Sequence, residues 1–72
     1  MDRVIVKGRE YVPGEEIIAR GQVRDIYEAA CRKGFSNSQT ADTTLFIRGN
    51  ELARVLRVNR DYRLVILKQV SD

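Results

Sequence analysis

The chain has 72 residues, 43 % of them hydrophobic and 32 % charged, with a formal net charge of +3. A chain of this length makes one domain, burying roughly 60 % of the surface its unfolded form exposes, and its apolar content argues against disorder. One cysteine, Cys31, and no histidine leave no internal disulfide, imidazole base or imidazole metal ligand, so Ser–His and Cys–His nucleophiles and ordinary zinc sites are excluded and a cofactor-free, non-enzymatic module is expected.

Val4-Ile5-Val6-Lys7 is rich in β-branched residues and stops at Gly8, and Glu10-Tyr11-Val12 resumes an extended pattern. Residues 3 to 12 are either one bent strand or a short hairpin turning at Lys7-Gly8-Arg9. Pro13-Gly14 then opens a loop, because proline cannot donate to a ladder and glycine tolerates positive φ. Glu15 to Arg20 reads as a separate turn that tucks Ile17 and Ile18 into the core, with a longer helix running through Gly21 as the alternative.

Between Gly21 and Gly34 the apolar residues Val23, Ile26, Tyr27 and Ala30 follow the i, i+3, i+4, i+7 spacing of a helix face. Arg32 and Lys33 suit the negative end of the helix dipole, and Gly34 suits the left-handed residue that ends it. Residues 35 to 42 are expected to be a polar surface connection, and Thr43-Thr44-Leu45-Phe46-Ile47 a buried strand closed by Arg48-Gly49-Asn50. From Asn50 as N-cap, apolar residues at 52, 55 and 56 predict a helix over 51–58. The competing reading makes Val55 to Val58 and Tyr62 to Leu67 a hairpin around Asn59-Arg60-Asp61. Leu64 to Leu67 is a strand in either case, and its unbroken apolar character calls for burial on both faces, as in a parallel sheet covered by helices. The expected fold is therefore α/β: a small three-layer domain over residues 1-72, in β-α-β-α-β order with a short, mainly parallel sheet, and α+β with a C-terminal hairpin as the alternative.

Residues 1 to 42 hold seven basic and seven acidic side chains, so the charge resides in residues 43 to 72, where six basic residues face three acidic ones. Ten of the thirteen basic residues are arginine, which forks onto phosphate through two hydrogen bonds. Arg48, the backbone of Gly49 and Asn50, and Arg54 within one turn of a helix start would form a phosphate site. Arg57, with Arg60 and Arg63 beyond it, continues a row spaced by three that fits a nucleic-acid backbone. Cys31 reads as a small buried hydrophobe and Glu15-Glu16 as solvated acids. No apolar run approaches the roughly 20 residues of a membrane span, and no basic-then-apolar leader opens the chain, so a cytoplasmic or nuclear location without membrane partners is expected.

Gly8-Arg9-Glu10-Tyr11-Val12-Pro13-Gly14, the Arg24, Ile26, Ala30, Gly34 series, and the stretch from Ser36 through Thr43-Thr44 and Leu45-Phe46-Ile47 to Gly49 resemble a BRCT domain. Tyr62-Arg63-Leu64-Val65-Ile66 would be its last strand. Pro13-Gly14 stands where the family has a hydroxyl-bearing residue and glycine, Arg54 or Arg57 would replace its second-helix lysine, and its third, tryptophan-bearing helix has no counterpart, so the chain resembles a minimal or divergent member. The resemblance implies genome maintenance, with nucleic acid (DNA first) or a phosphorylated protein as partner. Two other expectations stand beside it: a protein-interaction or self-association module forming a homodimer, and a small viral or mobile-element regulator.

Overall fold

The computed structural model describes residues 3–38 and 44–70. The elements are β1 (Val4–Val6), β2 (Arg9–Gly21), α1 (Val23–Arg32), β3 (Ser36–Ser38), β4 (Leu45–Arg48), β5 (Glu51–Val58) and β6 (Asp61–Gln69). They form one six-stranded sheet in the order β1-β2-β6-β5-β4-β3, antiparallel at every pairing. This overturns the expected α/β three-layer domain. Strand makes up 63 % of the described residues, the sheet is a curled half-barrel, and among those residues there is a single helix.

The expectation failed at two places for one reason. Residues 51–58 are a strand, paired with both β4 and β6, and residues 51–69 form a hairpin that contains the competing reading's strands, 55–58 and 62–67, and extends beyond them. That hairpin turns at Asn59 and Arg60, with Asn59 at φ 59°. The apolar run Leu64–Leu67 is indeed covered on both faces, but the second cover is the sheet's own curl. Leu64 packs under α1 with Ile26, Ala30, Phe35, Phe46 and Ala53, whereas Leu67 packs with Val4, Val6 and Leu45. β1 and β4 are not neighbours in the sheet, so gathering Val4, Val6 and Leu45 into one cluster with Leu67 fits a sheet that bends toward the face opposite α1. An unbroken apolar run reports two-sided burial, not the identity of the two covers.

Other segments follow from local chemistry. Lys7 and Gly8 both have positive φ (52° and 79°), the type I′ geometry that closes a two-residue hairpin, so residues 3–12 turn. Pro13 and Gly14 are not a loop but lie within β2, where the register on β6 slips between Pro13 and Ile17 and again between Ile17 and Ala19. Proline is tolerated because β1 pairs only as far as Tyr11, leaving the outer side of β2 without a neighbour, and because the bulge follows it. A Cβ on Gly14 would stand 3.0 Å from the Ile66 carbonyl oxygen, so the backbone needs glycine there to approach β6. The slips split the two isoleucines: Ile18 packs into the core under α1, and Ile17 stands opposite Val65 on the other face.

The helix matches its expected span. Its buried edge is Ile26, Ala29 and Ala30, while Val23 and Tyr27 remain 42 % and 39 % exposed. The Asp25 carboxylate accepts the Gln22 backbone N–H at 3.0 Å, which caps the N-terminus, and the Phe35 N–H donates to the Ala30 carbonyl beyond Gly34 at φ 85°. Cys31 is exposed rather than buried. Ser36–Ser38, expected in a surface connection, is the edge strand β3. The rest of that connection, 39–42, and Thr43 lie outside the described residues.

Candidate functional site

Alternation along β5 sends Ala53, Val55 and Arg57 to the helix side and Leu52, Arg54, Leu56 and Val58 to the concave side. The three-residue spacing that would align arginines on a helix therefore separates them on a strand. Arg54 is half-buried on the concave face and engaged within the fold. Arg57 lies on the helix side, its guanidinium 5.9 Å from the centre of the Tyr62 ring and its Nε donating to the Asn59 carbonyl oxygen at 3.4 Å. Arg60 is at the exposed tip of the β5–β6 hairpin.

Arg48 is committed to holding the helix. Its Nη1 donates to the Lys33 carbonyl oxygen at 2.9 Å, at the helix C-terminus where carbonyls lack intrahelical partners. Its Nε donates to Glu51 Oε1 at 2.9 Å, and the guanidinium lies 4.4 Å from the Phe35 ring centre. Gly49 and Asn50 form the β4–β5 turn, not a helix start. The expected phosphate site of Arg48, Gly49, Asn50 and Arg54 is thus not assembled. Asn50 and Arg60 sit at opposite ends of β5, roughly 25 Å apart by the rise of an eight-residue strand.

The concave face has a different basic centre. Arg20 on β2 and Arg63 on β6 are direct cross-strand partners, and Leu56 flanks Arg63 on β5. Among the described residues neither guanidinium makes a hydrogen bond or ion pair. Like charges placed directly opposite on a sheet repel. The nearest acid on that strand, Asp61, accepts a hydrogen bond from the Gln22 side chain at 3.3 Å. Half-buried Ile17, Leu56 and Val58 lie beside the pair.

At the other end of the concave face the β1–β2 and β4–β5 turns enclose a half-open cavity of about 600 Å³. Its floor is Val6, Ile47, Leu52 and Leu67, with Tyr11 in its wall. Lys7, Arg9, Asn50 and Gln69 line its rim, and among the described residues no carboxylate does. Sequence reasoning missed Arg20, Lys7 and Arg9 because residues 1 to 42 are neutral in sum. Their importance comes from β2 pairing with a strand some fifty residues away, which no local pattern encodes.

No helix of the described residues is long and apolar enough to cross a membrane. Comparison with protein-family models, curated proteins and solved structures gives no match to this chain.

Proposed function

We propose that the chain is a non-enzymatic binding module whose concave face takes the phosphate backbone of single-stranded nucleic acid. The observation that carries this reading is the Arg20–Arg63 pair: two arginines on directly opposed residues of one sheet face, where like charges repel, with neither side chain paired to an anion among the described residues. A bridging phosphate removes that repulsion and accepts from both forks. The apolar side chains beside the pair, Ile17, Leu56 and Val58, suit the unpaired bases of a single strand better than a duplex, which keeps its base faces stacked inside.

Fluorescence anisotropy with a labelled single-stranded oligonucleotide tests the reading. Two phosphate contacts at a slope of about −0.7 each give a loss of affinity of roughly sevenfold between about 50 and 200 mM salt. Arg20→Gln with Arg63→Gln flattens that slope, whereas Arg57→Gln, on the other side of the sheet, leaves it unchanged. A duplex or a phosphopeptide of equal charge binding more tightly, or a slope indifferent to the double variant, would overturn the proposal.

Self-association is a second reading. Ile5 is 56 % exposed on the edge strand β1, and Val23 and Tyr27 are exposed along α1, so apolar surface is available for a second copy. Sedimentation over a hundredfold range of concentration decides it, a strict monomer throughout removing the reading.

A further inference from the structure

We infer that the cavity between the β1–β2 and β4–β5 turns is a binding site for a nucleoside phosphate, either a free mononucleotide or the phosphorylated end of a strand. The chemistry of the wall is divided in the way such a ligand is divided. Lys7 lies in the two-residue β1–β2 turn and Arg9 directly follows it, and neither side chain has a hydrogen bond or ion pair among the described residues. Together they suit a doubly charged phosphate, the ammonium as a point charge and the guanidinium as a fork. Opposite them the floor is aliphatic and Tyr11 offers a ring, which matches the flat face of a base. Asn50 and Gln69 each carry an amide donor and acceptor with no partner among the described residues, the pairing that a base edge requires. A volume of about 600 Å³ falls in the range of small-molecule sites. The polar rim, reaching both sides of the opening, disfavours a long aliphatic tail, which would leave those amides unpaired.

The inference concerns a different end of the face from the Arg20–Arg63 pair and does not depend on it. Its test is a backbone-amide NMR titration of the full chain carrying Arg20→Gln and Arg63→Gln, so that failure of strand binding there is separated from failure of the cavity. The four 5′-nucleoside monophosphates are expected to move amides of residues 6–11, 47–52 and 67–69 along saturating curves. The matching nucleosides without phosphate, and the further variant Lys7→Gln with Arg9→Gln, are expected to bind at least about tenfold more weakly with the spectrum otherwise preserved. Lys7 and Arg9 are exposed, so that variant keeps the fold. Oligonucleotides with and without a 5′-phosphate separate the two sources: tighter binding of the phosphorylated end identifies a strand terminus, and response to mononucleotides alone identifies the small molecule. Inorganic phosphate matching the mononucleotides, octanoate displacing them, or shifts lying elsewhere would each overturn the assignment.

Discussion

Arg48 shows how a side chain expected to bind a ligand can be occupied by the fold. It joins the end of α1 to the β4–β5 hairpin through the Lys33 carbonyl, the Phe35 ring and Glu51. The Glu51 ion pair is partly exposed, so it adds little, and most of the stabilisation resides in the carbonyl bond and the stacked ring. Arg48→Ala is expected to cost about 1–2 kcal/mol in urea unfolding, and Glu51→Gln less than about 1 kcal/mol. Gly21 is constrained more severely. Its φ is +136°, and a Cβ there would lie 2.8 Å from the Asp25 carboxylate that caps the helix. Gly21→Ala is expected to lower stability by roughly 1–3 kcal/mol, and a melt showing no loss would mean that the cap is dispensable.

At the scale of elements, α1 could be read because every signal for it was local: the periodic apolar residues, the terminal cations and Gly34 lie within one short span. The β5 strand could not, since Leu52, Val55 and Leu56 fit a helix face as well as they fit the two sides of a covered strand. Asn50 suits a tight turn as well as an N-cap. What decides is pairing to β4 and β6, which is non-local. The candidate site inherited the error, because the face on which an arginine lies depends on the period of the element carrying it. Sheet position also ranks the local stabilities. Amides of β6 and β5, bonded on both sides, are expected to exchange slowest with solvent, and those of the three-residue edge strands β1 and β3 fastest. Uniform protection across the sheet would contradict a strand order with β1 and β3 at its edges.

The whole molecule answers the problem set by its length. With one ten-residue helix it can cover one face of a six-stranded sheet, and it covers much of the other by bending. The bend reaches only where β1 does, and Arg20, Arg63 and their apolar neighbours lie beyond it. Sequence composition located an arginine excess in the last thirty residues, and Arg63 belongs to it. Its partner Arg20 comes from the neutral part of the chain, so half of the basic centre became legible only with the sheet order.

The pairing of β2 with β6 also sets how the chain reaches this state. This seam joins residues far apart in the sequence, Tyr11 opposite Gln69 and Gly21 opposite Tyr62. Closing so long a loop costs conformational entropy before any contact offsets it, and α1 has no complete surface to pack on until β6 arrives. Stopped-flow refolding is therefore expected in milliseconds to seconds, well slower than helical proteins of this size. The β5–β6 hairpin, local and independent of that seam, is free to form first.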